Sequence, residues 1–411
     1  MAKDNRLVWL LGSSALSNLG DGIGKVAFPL LAVSVTRDPV LIAGLSATAF
    51  LPWLLFSLIT GVLLDRVDRR KAMLLANAAR AVIVGGLAVL VLADATTIWL
   101  LYAFALVLGT VETVADSAAQ ALIPAVVERN GLESANGKLQ SVEIVGQTFL
   151  GGPLGSLTFA VFAALPFLLN SAGFAIAAVL LVLLHGRYKP KAAIDAAAAP
   201  LRVQLTEGLR WLRGNALMVR LVIIAASVAL TSELAQALLV LYAVEDLGLT
   251  PAAFGLFALV GGVGGLLGAW LAPRLTRRIS RRTVLTLATG FCGLGFGLMS
   301  IVRDPILASG LFGLFAAAVV VINVILGALR GALVPEHLFG RVLGVWRTVV
   351  WGAIPVGALL GGLLADWLGT RAVFGVSGAL QILLGGFVWI ALDRHAAEVD
   401  SLNGEPVSET A

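Results

Sequence analysis

Apolar residues gather in twelve stretches, each long enough to cross a bilayer, and polar residues are confined to short connections and one longer linker. A hydrocarbon core about 30 Å thick needs roughly 20 apolar residues per helix. The stretches run 7–36, 40–64, 71–93, 97–122, 136–163, 165–184, 216–244, 251–273, 282–302, 305–330, 340–365 and 370–392. This pattern predicts an all-α polytopic membrane protein: a six-helix bundle over 1–184, a linker over 185–215, a second six-helix bundle over 216–392 and a tail over 393–411. In the linker, Leu201, Leu205, Leu209 and Leu212 recur at helical spacing opposite Arg202, Arg210 and Arg213. That spacing predicts an amphipathic helix on the inner leaflet. The tail is polar and reads as disordered.

Composition adds that little is left over for a soluble domain: 59% of residues are hydrophobic and the mean hydropathy is +0.96. An even number of spans puts both termini on one side. Lysines and arginines concentrate there, with only Arg37, Arg303 and Arg371 on the other side and Lys25 and Arg80 inside spans. By the positive-inside rule both termini are cytoplasmic and the chain sits in the inner (plasma) membrane. A pI near 9.7 is thus a matter of topology and calls for no nucleic-acid partner. The single cysteine, Cys292, excludes an intramolecular disulfide, and the first span lacks a signal-peptide cleavage pattern and reads as retained.

The second half can be laid on the first. Gly61 to Arg66 closes the second span as Gly268 to Pro273 closes the eighth, and Gly152-Pro153 in the fifth matches Ile354-Pro355 in the eleventh. Two repeats related by an axis along the membrane normal place a binding site between them at mid-membrane. The 46 glycines cluster, as in Gly261 to Gly265 with Gly268, which suits close helix approach. With no strand before that run and no Gly-Lys-Ser/Thr after it, it is no phosphate loop.

The loop Gly61-Val-Leu-Leu-Asp65-Arg66-Val-Asp68-Arg69-Arg70-Lys71 resembles the signature between the second and third helices of the major facilitator superfamily. The resemblance covers about residues 7 to 392. Within that superfamily the chain looks like the proton-coupled branch that exports macrolides, drugs and siderophores, through Gly20-Asp21-Gly22, Phe28-Pro29-Leu30, Ala121 to Pro124, Glu207-Gly-Leu-Arg210 and Val334 to Arg341. Two departures stand out. Asp68 occupies a position where the family usually has Gly, and the fourth span lacks the Arg that many drug/proton antiporters carry.

The resemblance implies that the first, fourth, seventh and tenth helices line the cavity. Intramembrane acids are Asp21, Glu112, Asp116, Glu143 and Glu233, with Asn323 in the tenth span. A carboxylate at mid-bilayer costs about 2.5–3.5 kcal/mol on insertion scales, so each needs a partner, water or a function. Asp21 and Glu233, at depths of about 21 and 25 Å from 1.5 Å per residue, are expected to face one cavity and carry protons or hold a cation. The bland alternatives are an i,i+4 pair of Asp21 with Lys25, and a hydrogen bond of Glu233 to Gln236 or to a neighbouring helix. Glu112 is a further candidate for substrate or proton binding. Carried over from the family, Asp65 meets the start of the eleventh helix and Arg69 meets Asp116, with Gly61, Arg66 and Arg70 completing the gating loop. Glu143 and Arg347 read as further charges of the cytoplasmic gate, and Arg80 and Asn77, in an outer helix, as snorkelling or packing residues.

The resulting expectation is a secondary transporter, working as a monomer by alternating access, that exports an amphipathic or cationic small molecule in exchange for protons. Its partners are the substrate, protons and the lipid bilayer, with no cofactor, metal or nucleic acid. The alternative within the fold is a lipid or metabolite transporter. A polytopic enzyme is disfavoured because His185, His337 and His395 all lie in loops and no His-Glu-x-x-His or Gly-x-Ser-x-Gly occurs.

Overall fold

The computed structural model describes residues 5–64, 67–127, 131–186, 188, 201–335, 338–395 and 398–399. The described residues are helical, without a strand. In chain order the helices are α1 Arg6–Val35, α2 Pro39–Leu64, α3 Arg69–Leu92, α4 Ile98–Val126, α5 Leu132–Glu143, a π-helical stretch Ile144–Gly151, α6 Gly152–Val161 and α7 Leu165–Leu183. The linker helix α8 is Leu201–Gly214. Then follow α9 Ala216–Gln236, α10 Leu239–Leu241, a second π-helical stretch Tyr242–Asp246, α11 Pro251–Thr276, α12 Arg281–Met299, α13 Pro305–Leu333, α14 Phe339–Leu368 and α15 Thr370–Asp393. Eleven crossings among the described residues are long and apolar enough to span a membrane, the fifth (Ser134–Val161) and the seventh (Ala216–Asp246) each being built from more than one segment. The remaining long helix is α1, 30 residues, whose apolar character is diluted by Ser13, Ser14, Ser17, Asn18, Asp21 and Lys25.

Helix starts are where sequence chemistry acts most directly. Asn215, Ser280 and Asp304 cap α9, α12 and α13 by accepting from backbone N–H groups at 2.8, 3.2 and 2.8 Å, the usual role of short polar side chains at that position. Asp68 explains its own departure from the family pattern. Its Oδ1 accepts from the N–H groups of Arg70 and Lys71 at 3.1 and 3.2 Å, and its Oδ2 from the Tyr188 N–H at 3.1 Å. One carboxylate thus starts α3 and holds the chain that leaves α7.

The chain forms two compact units, residues 1–196 with 243–259, and 197–242 with 260–411. Each has the same internal pairing. In the first, α3 packs on α4 and α7, and α1 on α7 and the fifth crossing; in the second, α12 packs on α13 and α15, and α9 on α15 and α14. The repeat seen in the sequence is therefore a repeat of helix contacts. The first unit's core has two parts, one around Leu31, Leu87, Leu101, Phe167 and Phe174, the other around Leu10, Met73, Leu122, Ile123 and Leu181.

In the linker helix Leu212 is buried and Arg210 and Arg213 are exposed, while the side chains of Leu201, Arg202 and Leu205 lie outside the described residues. It is fastened to α14 by an ion pair of Glu207 with Arg341, so the Glu-Gly-Leu-Arg stretch and the end of the Val334 to Arg341 stretch meet. Gly208 permits this, since a Cβ there would lie 2.9 Å from the Arg341 backbone carbonyl. The seventh crossing is not the single continuous helix expected over 216–244. It breaks after Gln236 to seat the fully buried Tyr242, whose hydroxyl donates to the Met299 carbonyl at 2.6 Å and whose ring lies 4.4 Å from that of Phe374. Trp99 and Trp367, at helix ends, are exposed, as interfacial anchors are.

Small residues set the closest approaches. A Cβ on Gly264 or Gly268 of α11 would collide with the backbone of Gly313 or Ala317 on α13. Gly268→Val should cost at least about 1–3 kcal/mol through overpacking, whereas Gly310→Ala, with open space around it, should be neutral; thermal midpoints of the purified protein in detergent check both. Asp68→Ala should lower the same midpoint, corresponding to about 1–2 kcal/mol for a lost cap.

Candidate functional site

Helix α1 turns two polar faces into its bundle. Ser13, Ser17 and Asp21, four residues apart, lie on one face; Asn18 and Gly22 lie about 100° around the axis, with Lys25 between the two faces. The first face looks to α3 and α7. Asp21 forms an ion pair with Arg80 of α3, and the two side chains are 5% and 0% exposed. Arg80 also donates from Nη1 to Ser17 Oγ at 2.8 Å, Ser17 donates to Asn77 Oδ1 at 3.2 Å, and the guanidinium lies 3.9 Å over the Phe174 ring of α7. Ser13 donates to the Ala177 carbonyl at 2.9 Å.

Arg80 and Asn77 therefore depart from the expectation that they snorkel or merely pack. Met73, Asn77, Arg80 and Val84 share the buried face of α3, and a long side chain on that face reaches the bundle interior, not the membrane surface. Lys25 likewise does not take Asp21 as its partner across one turn. Its Nζ bonds to Gln147 Oε1, while Gln147 Nε2 donates to Asn18 Oδ1 at 2.7 Å.

That second face depends on backbone contact. A Cβ on Gly22 would lie 2.6 Å from the Gln147 carbonyl oxygen, and one on Gly155 would lie 2.7 Å from the Ile23 carbonyl oxygen. Gln147 sits within the first π-helical stretch; such widened turns re-aim side chains and recur at functional positions.

Across the bundle, Glu112 and Asp116 occupy successive turns of α4 and are partly buried. Both lie within electrostatic reach of Arg80, and Asp116 is also within reach of Glu143 and Lys25. Asp21, Glu112 and Asp116 thus lie near Arg80, and the exposed Glu143 and Lys25 lie within reach of Asp116. Acids outnumber cations in this part of the bundle. The central pair is also incompletely satisfied: Asp21 Oδ2, Arg80 Nε and Asn77 Nδ2 are buried without hydrogen bonds. In a low-dielectric interior such a network has alternatives open to it.

The remaining sequence candidates fall elsewhere. Arg69 donates from Nη1 to the Ala121 carbonyl of α4 at 2.9 Å, and Arg70 donates to the Leu181 and Val182 carbonyls ending α7 at 2.6 and 2.9 Å. Both cations thus meet the carbonyl end of a helix, where positive charge is favoured. Gly61 lies in the last turn of α2; Asp65 and Arg66 lie outside the described residues. Glu143 is exposed. In the second unit Glu233 is partly buried on α9, close to Gly357 of α14, and Asn323 is exposed on α13. Arg347 lies 5.3 Å from the Trp351 ring. Sequence reasoning missed Arg80, Ser17 and Gln147 as members of the cluster. The available signal was a cation and an amide within apolar spans, where an unpartnered polar group is costly.

Comparison with known proteins gives the class: a membrane transporter of the major facilitator superfamily. It belongs to the transmembrane secretion effector family, whose model matches residues 3–409. Among curated relatives, it is 27% identical over 404 residues to the multidrug efflux pump Tap of Mycobacterium tuberculosis (strain ATCC 25618 / H37Rv), covering 93% of this chain and 92% of that protein. Among solved structures, the nucleoside transporter NupG matches with a TM-score of 0.74 at 12% identity, covering 94% of this chain and 99% of that one. A bacterial homologue of the iron transporter ferroportin in its inward-facing state matches with a TM-score of 0.71 at 17% identity, covering 97% and 99%. At these identities the structural likeness concerns the fold.

Removing one partner of a buried ion pair strands the other charge, at a cost of about 3–5 kcal/mol. Asp21→Asn and Arg80→Gln should each lower stability by roughly that amount, and Asp21→Asn combined with Arg80→Gln should cost less than the two added together. Denaturation of the four proteins in one detergent measures the coupling.

Proposed function

We propose that this chain is a proton-coupled exporter of amphipathic or cationic small molecules of the drug, macrolide or siderophore type, working by alternating access. The observation that carries the reading is the buried Asp21–Arg80 pair with Glu112 and Asp116 within electrostatic reach of the same cation. Protonation of Asp21 removes its claim on Arg80, and the guanidinium then answers to the α4 acids. A proton on α1 is thereby converted into a rearrangement between α1, α3 and α4. This is differential stabilisation of two states, which a coupled transporter requires. The likeness to a multidrug efflux pump over 93% of the chain supports export and a broad substrate class.

In this reading Asp21 carries the proton, Glu112 binds substrate or proton on the same bundle, and Glu233 and Asn323 are the polar positions offered by the second unit. Gly61, Asp65, Arg66, Arg69, Arg70, Asp116, Glu143 and Arg347 form the cytoplasmic gate. The chain works as a monomer in the inner membrane with both termini in the cytoplasm, as its arginine distribution favours.

The test is uptake of a cationic dye into inverted vesicles under an imposed pH gradient. Uptake should follow the gradient and fall at least tenfold in Asp21→Asn with the protein still folded. Uptake that ignores the gradient and survives Asp21→Asn overturns proton coupling. Gradient-driven movement of an uncharged metabolite or a lipid, with the dye excluded, moves the assignment to that substrate class instead.

A further inference from the structure

On the outer side of the second unit, α12 and α15 leave a groove of 320 Å³ between them. Thr286, Gly290 and Leu294 line it from one helix, Ile382, Gly385 and Gly386 from the other. It is apolar and open. Gly290 and Gly386 have no atom within 4 Å of where a Cβ would stand, so the space over them is empty. Leu287 and Phe291 beside it are about half exposed, at 50% and 45%, so this face meets hydrocarbon.

One end of the groove is strongly cationic. Arg282 lies one turn before Thr286, and Trp389 one turn after Gly385 and Gly386. The Arg282 guanidinium stacks 3.7 Å over the Trp389 ring, donates to the Trp389 carbonyl at 3.0 Å and pairs with Asp393 at 2.6 Å. That clamp lies about one turn beyond the inner end of the groove. Arg277 and Arg278 just outside are exposed, and Arg281 donates to the Val399 carbonyl. Asp393 offsets one of these charges, and the end remains positive.

One polar atom in the wall has no partner: Thr286 Oγ1 is buried and makes no hydrogen bond. It lies five residues into α12, about 7.5 Å along the axis, at the depth where headgroup gives way to acyl chain.

We propose that this groove is a binding site for an anionic phospholipid. One acyl chain lies over Gly290 and Gly386, and the phosphate meets the arginines at positions 277, 278 and 281. The charge decides between occupants. A second copy of this chain docked by two-fold symmetry sets one arginine cluster close to another, which repels, whereas an anionic headgroup is attracted by about 1 kcal/mol per arginine near the surface. The site is independent of the transport cycle proposed above.

Native mass spectrometry of the full chain, exchanged into phosphatidylglycerol or phosphatidylcholine, tests it. One phosphatidylglycerol should be retained per chain and phosphatidylcholine should not. Gly290→Leu with Gly386→Leu, whose Cβ atoms meet open space and whose side chains fill the groove, should abolish retention. Arg277→Gln with Arg278→Gln, outside the membrane, should weaken the preference for phosphatidylglycerol roughly thirty-fold and decides the matter if the first variant misfolds. Glycerol phosphate at millimolar concentration should not displace the lipid. Equal retention of both lipids overturns the proposal. So does retention unchanged in the filled or arginine-free variant, displacement by glycerol phosphate, or a dimer that the filled variant breaks.

Discussion

Most of this molecule follows from the inability of hydrocarbon to hydrogen-bond. Backbone groups in a bilayer must find partners within their own segment, so the chain is helical wherever it crosses. The same rule governs charges, and here it has one central case: Asp21 and Arg80, buried on neighbouring helices and paired. Ser17, Asn77 and Phe174 exist around that pair as its supports. The polar residues that make α1 the least apolar crossing are thus the ones that join it to α3, α7 and the fifth crossing.

Close backbone approach is the second constraint. Without a hydrophobic drive between helices in lipid, packing itself must hold the bundle, and small residues let it do so. In the first unit Gly22 and Gly155 bring α1 against the fifth crossing, and in the second Gly264 and Gly268 bring α11 against α13. The glycines at α1 have a chemical result as well. They bring the π-helical stretch near enough for Gln147 to bridge Lys25 and Asn18, and so deny Lys25 to Asp21. Which cation Asp21 receives is decided partly by the absence of side chains where α1 meets the fifth crossing.

At the helix ends, water and the backbone share the work. Asp68 and Arg70 satisfy backbone groups that a helix terminus leaves unpaired, and Arg69 adds a donor to a carbonyl near the end of α4. A loop that the family resemblance marks for gating is therefore also a set of caps, and its charges serve α3, α4 and α7 together. The Glu207–Arg341 pair does the same for the linker helix and α14.

The sequence by itself determined the helical class, the run of apolar crossings and the short polar side chains that start helices. These are local properties: twenty apolar residues, a capping side chain or a lone carboxylate has the same meaning wherever the helix is placed. Tertiary structure decided which charge meets which. Arg80 looked like a surface-seeking cation because its helix is apolar and outer by analogy, yet the face it shares with Met73, Asn77 and Val84 is the buried one. Lys25, one turn from Asp21, looked like its partner and is not. Partnership depends on the rotation and approach of helices far apart in the chain, and that is set by packing among many side chains at once.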